Sequence, residues 1–251
     1  MASVTQRINE IKQPRGGYIN PNAFTVVDMG NGGPLSIDDE NVHSSLVGMA
    51  VDYLTRSIVS MNPVSAFKVS IIGAGLIGEA EKALSMAMSV LDLSADSITT
   101  ACQLSGYDVC CRAGVERYRP IADIQPDGPT ISHIKTMVER SLRFFDEYGP
   151  VVEDGITFLG GYTETVDTGD GDFITTDTLW DFKVSVSSPT NKYTLQLLMY
   201  YLMGLRSGDD NLHGIERLGI FNPRLDKVYL LNVIDIPSEV IQAVETDVIG
   251  Y

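Results

Sequence analysis

The chain has 251 residues, 44% of them hydrophobic, with 33 acidic against 18 basic side chains and a formal charge of -15. This length allows one large domain or two small ones with ample chain to bury a core, and the acidic excess excludes a protein that coats nucleic acid through sheer basicity. The longest apolar run, around Val69 to Ile77, is too short and too rich in glycine to span a bilayer, so no membrane partner is expected.

The N-terminal stretch MASVTQRINEIKQPRGG has no apolar signal core, so export is not indicated. Cys102, Cys110 and Cys111 lack CxxC spacing, and His43, His133 and His213 are scattered. A zinc site is therefore not expected, and a cytoplasmic location fits. Residues 1–38 are polar and broken by Pro14, Gly16, Gly17, Pro21, Gly30, Gly32, Gly33 and Pro34, which reads as an arm with loops and one short strand at Phe24 to Val27.

Residues 39–128 read as mainly helical. Leu46, Met49, Ala50, Tyr53, Leu54 and Ile58 recur at helical spacing in a helix from Asp38 to about Met61. The run from Val69 to Gly78 matches the GxGxxG dinucleotide fingerprint, which needs a strand before it, a helix after it, and an acidic residue closing a second strand about twenty residues on. A helix from Glu79 to Leu91 supplies the second element. Asp92 to Ile98 reads as a turn with a cap rather than a strand, so close packing of helices through small residues is the better reading. Arg112, Arg117 and Arg119 make a locally basic region. They are either a phosphate-facing patch or surface partners of Asp108, Glu116 and Asp123, and such pairs are common.

Residues 129–251 carry the most structured pattern. Pro129-Thr130 opens a helix that stops at Gly149-Pro150 and bears one apolar stripe of Ile131, Ile134, Val138, Leu142 and Phe145. Glu139 lies about 100° from the centre of that stripe, given roughly 100° per residue. It is placed either to lean into a site or to pair with Lys135 or Arg143. A strand follows at Gly155 to Phe158 or Tyr162 to Val166, and then a β-hairpin: Asp172 to Thr175, a turn at Thr176-Asp177, and Leu179 to Val184. An even loop sets Asp172 opposite Asp181, and period-two alternation puts Asp181 and Lys183 on one face and Trp180, Phe182 and Val184 on the other. Opposed carboxylates roughly 5 Å apart repel unless a cation lies between them, and Mg²⁺ is commonly held by one or two carboxylates plus water. Ser188-Pro189 opens a helix that is apolar around nearly its whole girth, with Gln196 and Tyr200 four apart on one face. Arg217 to Phe221 and Val228 to Val233 read as strands, and Ser238 to Asp247 as a closing helix.

The order of these elements, with Asp172, then Asp181-Phe182-Lys183, then Gln196-Leu-Leu-Met-Tyr200, resembles the PD-(D/E)XK nuclease superfamily and within it the RecB-like branch. The resemblance covers roughly residues 130–234. It implies an α/β fold with a restriction-endonuclease-like αβββαβ core and a mixed central sheet, preceded by the helical region. It further implies that Asp172 and Asp181 bind Mg²⁺ or Mn²⁺ with the Phe182 carbonyl as a further ligand. Lys183 would position or activate water, Gln196 and Tyr200 would steady the site and the strand, and Glu139 would be the helix carboxylate. Asp170 competes with Asp172, and the histidine of some RecB-like members has no equivalent here. The expected function is metal-dependent hydrolysis of phosphodiester bonds in nucleic acid, with DNA the expected substrate. The acidic charge also suggests a homo-oligomer or a protein partner. The alternatives are a non-catalytic nucleic-acid-binding or assembly protein on the same scaffold, and a nucleotide-cofactor enzyme using Gly73 to Gly78.

Overall fold

The structure is a computed structural model describing residues 2–30 and 32–251. The chain divides into two compact units, one built from Met1–Gly33 together with Phe144–Tyr251 and the other from Pro34–Arg143.

The first unit is α/β. Among the described residues its strands are β1 (Ala2–Ser3), β2 (Thr25–Asp28), β3 (Val151–Thr157), β4 (Val166–Thr168), β5 (Asp170–Thr175), β6 (Thr178–Phe182), β7 (Arg217–Asn222) and β8 (Lys227–Asn232). Six of them form a mixed sheet in the order β2-β8-β7-β6-β5-β3, in which β6 and β7 are parallel and every other neighbouring pair is antiparallel. The parallel pair requires a crossover, and the helix Asn191–Arg206 supplies it. β1 and β4 make a separate two-stranded parallel pair.

Alternation along the strands divides the core into two layers. Phe173, Trp180, Phe221 and Val228 face Phe144, near the end of the helix Gly128–Tyr148. Phe144 stacks on Phe221 at 4.2 Å between ring centroids and meets Trp180 edge-on at 4.8 Å. Ile174, Leu179, Leu218, Ile220, Tyr229 and Leu231 lie in the opposite layer with Leu195, Leu198, Met199 and Leu202 of the crossover helix. Burial of each such side chain contributes roughly 1.5–3 kcal/mol. Gly219 is required where β7 passes the indole, because a Cβ there would stand 2.3 Å from Trp180 Cε3.

The short strand expected at Phe24 to Val27 is β2, which pairs in register with β8 at one edge of the sheet (Thr25 with Leu230, Asp28 with Lys227). Two features differ from the sequence reading. The helix Val4–Glu10 forms within the polar beginning and buries Val4 and Ile8 in the crossover-helix layer. The crossover helix starts at Asn191 rather than at Ser188-Pro189. Thr190 is its cap, extended at φ -100°, ψ 166°, and the Thr190 carbonyl accepts from the N–H groups of Tyr193 and Thr194.

The second unit is helical. Ser44–Ser60 is capped by His43 and ends at Met61, whose φ of 51° turns the chain out of the helix. Ala95–Ser105 is capped by the Ser94 hydroxyl. Lys68–Gly75 is also a helix, so the extended lead that a dinucleotide fingerprint requires is not formed there. Gly73 instead permits close packing, since a Cβ on it would lie 2.2 Å from the carbonyl oxygen of Tyr107. At the centre of this unit the fully buried Asp108 accepts from Tyr53 Oη at 2.5 Å and Ser70 Oγ at 2.6 Å.

Candidate active site

The site is built on the β5–β6 hairpin and the crossover helix. The strands are joined by the two residues Thr176-Asp177, and the turn is tied down by Asp177, whose Oδ1 accepts from Thr178 Oγ1 at 2.8 Å and Arg217 Nη2 at 2.7 Å. From this turn the register runs Thr175 with Thr178, Ile174 with Leu179 and Phe173 with Trp180. The ladder ends at that pair; Asp172 follows it, and its side chain rather than its backbone bridges to Phe182 on β6, close enough for its charge to act on Asp181.

Asp181 is 2% exposed. Its Oδ1 accepts from Lys183 Nζ at 2.7 Å, while its Oδ2 is buried and has no hydrogen-bond partner among the described residues. Burial, reinforced by the negative charge of Asp172 and offset by Lys183, pushes the Asp181 carboxyl up to about 6. Asp172 Oδ2 accepts from the Phe182 N–H at 2.6 Å, and no hydrogen bond reaches its Oδ1 among the described residues. Each aspartate therefore keeps one oxygen uncommitted.

The Phe182 carbonyl is oriented by its neighbours. The Lys183 N–H donates to the Phe221 carbonyl on β7 at 2.9 Å. Across a trans peptide the carbonyl opposes the N–H, so the Phe182 oxygen points to the β5 side, where Asp172 lies. Lys183 is 24% exposed at its side chain, and its ammonium lies 5.4 Å from the centroid of the Tyr193 ring. Burial acts to lower its pKa, but Asp181 and Asp172 outweigh that and hold it raised, so the amine stays cationic at neutral pH.

The crossover helix brings Gln196 and Tyr200 to the same place. Gln196 Nε2 donates to Tyr200 Oη at 3.1 Å, and the Tyr200 ring stacks on Phe158 at 4.9 Å. Burial, together with the charges of Asp181 and Asp172, raises the Tyr200 phenol well above its ordinary range, which keeps the hydroxyl protonated. Tyr193 was not singled out from sequence, although it shares a stripe with Gln196 and Tyr200 at i, i+3 and i+7. Its spacing was therefore readable.

Asp170 opens β5 as an exposed residue opposite Thr157, and its charge reaches Tyr200 more weakly than those of Asp181 and Asp172. Glu139 belongs to the helical unit. Its side chain is 46% exposed and 4.0 Å from Lys135 Nζ, the pairing that the sequence offered as an alternative.

Among the described residues no group of three or more His, Cys, Asp or Glu side chains is placed to hold a metal ion. The oxygens that fit a hard divalent cation are fewer: Asp181 Oδ2, Asp172 Oδ1 and the Phe182 carbonyl. Mg²⁺ takes few protein ligands and completes its shell with water and substrate oxygens, so this donor set suits it. The orphaned, buried Asp181 oxygen is the feature a cation would satisfy. Compared with protein-family models, with curated proteins and with solved structures, the chain has no match.

Proposed function

We propose that this chain is a metal-dependent nuclease that hydrolyses phosphodiester bonds in nucleic acid, with DNA the first substrate to test. The observation that carries the reading is the proximity of Asp172 and Asp181 on neighbouring strands, each with a spare oxygen, beside the cationic Lys183. The order helix, β3, β5, β6, crossover helix, β7, with β7 parallel to β6, supports a restriction-endonuclease-like αβββαβ core.

Asp172, Asp181 and the Phe182 carbonyl would hold the ion. Mg²⁺ or Mn²⁺ bound there would supply charge stabilisation at the phosphate and lower the pKa of water. Lys183, fixed between Asp181 and the Tyr193 ring, presents N–H donors that orient the attacking water and stabilise charge developing on a phosphate oxygen. Gln196 spends its donor on Tyr200, which leaves the phenolic proton of Tyr200 to bind a strand phosphate. The buried, apolar surroundings strengthen each of these interactions.

The test is incubation of the chain with labelled single- and double-stranded DNA and RNA in Mn²⁺, Mg²⁺ or EDTA. Cleavage in metal, none in EDTA, and loss in both Asp181→Ala and Lys183→Ala are expected. Unaltered cleavage in either variant would overturn the site assignment. Failure of the wild-type chain to cut any of the four substrates would favour a binding or assembly role.

A further inference from the structure

The helical unit contains a cavity of about 580 Å³, lined only by residues between His43 and Ile124, that the hydrolytic reading does not use. Its volume lies within the range of small-molecule sites. Leu46, Met49 and Ile124 contribute apolar wall, and Arg112, Arg117 and Arg119 contribute three positive charges against the single carboxylate of Asp108.

Of the pairs that their sequence neighbours offered, only that of Arg112 with Asp108 forms among the described residues. Arg112 alone reaches a carboxylate, with its Nε 3.4 Å from Asp108 Oδ2, and its Nη2 lies 3.4 Å from Tyr53 Oη. Asp108 is itself fully buried and held by Tyr53 and Ser70. This buried triad fixes one edge of an otherwise exposed guanidinium and leaves Nη1 without a partner among the described residues. Arg117 and Arg119 are exposed and have no carboxylate within ion-pair distance among the described residues, and Arg119 Nη1 donates only to the Tyr118 carbonyl at 3.0 Å. In a chain of net charge -15, a concave surface with two positive charges in excess and an aliphatic wall selects for an anion carrying an apolar body.

From this geometry we infer that the cavity binds an organic phosphomonoester of mononucleotide size, with its phosphate on the three arginines and its flat body against Leu46, Met49 and Ile124. The guanidinium fork matches phosphate oxygens two at a time, and a dianion matches the excess charge. The inference does not depend on the proposed hydrolysis.

The test is titration calorimetry of the full chain in EDTA, so that no divalent ion can hold phosphate at the β5–β6 site, with AMP, UMP, adenosine and inorganic phosphate as probes. Saturable one-site binding of AMP or UMP is expected, with adenosine and inorganic phosphate each at least tenfold weaker. The double variant Arg117→Ala/Arg119→Ala should weaken nucleotide binding at least tenfold with its helical circular dichroism unchanged. Binding in Asp181→Asn should equal that of the wild type, which separates this cavity from the candidate active site. Absence of saturable binding by both nucleotides, inorganic phosphate binding as tightly as AMP, or undiminished binding in the double arginine variant would each overturn the inference.

Discussion

Burying a carboxylate close to a second one, and leaving one of its oxygens without a partner, destabilises the folded chain wherever that carboxylate is ionised. At Asp181 the sign follows from the two pKa values. The unfolded chain ionises aspartate near pH ~3.9, while the folded chain holds the proton up to about 6. The folded state is thus favoured below the lower value, loses that advantage as pH rises through the window between them, and carries the full penalty above pH 6. Asparagine does not titrate. In EDTA, the stability of Asp181→Asn relative to wild type should therefore rise by about 2 kcal/mol between pH 4 and pH 7, most of a gap of about two pKa units at 1.36 kcal/mol each. Urea denaturation at several pH values measures this, and a gap that does not change with pH would show that the carboxyl is solvated. The same proton competes with a cation. Mn²⁺ affinity should weaken as pH falls below about 6 and should be lost in Asp172→Ala, both measured by calorimetry. The meeting of Asp181 with Lys183 on one face was legible because β alternation is strictly two-residue. The donation from Phe182 N–H to Asp172 was not legible, because a side chain that bends back to a neighbouring strand leaves no periodic mark.

At the scale of elements, the hairpin holds its register through the face opposite the site. Trp180 is 1% exposed, donates from Nε1 to Thr175 Oγ1 at 2.8 Å, and lies against Phe144 and Tyr148. Gly219→Ala would press a methyl group into the indole, with about 1–3 kcal/mol of destabilisation expected from overpacking. Trp180 is the only tryptophan, so its emission reports both the loss of stability and any shift of the hairpin. Wild-type emission and urea midpoint in this variant would mean that the indole has room. The apolar girth of the crossover helix was readable, but its first turn was not. Ser188-Pro189 has the composition of a helix start, yet the helix begins only at Asn191, after an extended Thr190. The glycines near Gly73 show the opposite ambiguity. Small residues permit close approach to a ligand or to another backbone, and only the Tyr107 carbonyl decides between them here.

Across the whole molecule the charge of -15 opposes approach to a phosphate backbone. Any recognition of nucleic acid at the candidate site then depends on a divalent ion to offset Asp172 and Asp181. With Lys183→Ala, duplex DNA should show no anisotropy change at about 0.15 M salt in EDTA and a saturable one in Mn²⁺. Equal binding in both conditions would move recognition to another surface. The division of the molecule was only half legible, because helical periodicity marks residues 39–128 but nothing in a polar, proline-punctuated beginning indicates a partner some two hundred positions later in the sequence.

That pairing of β2 with β8 has a consequence for synthesis. The ribosome delivers Thr25–Asp28 long before Lys227–Asn232, an interval on the order of 10–40 s at ~5–20 residues per second. The intervening helical unit, Pro34–Arg143, is contiguous in sequence and can close during that wait. The outer strand is left to bridge the delay with a short, largely solvent-facing run ending in an aspartate, a composition that discourages premature association with other nascent chains.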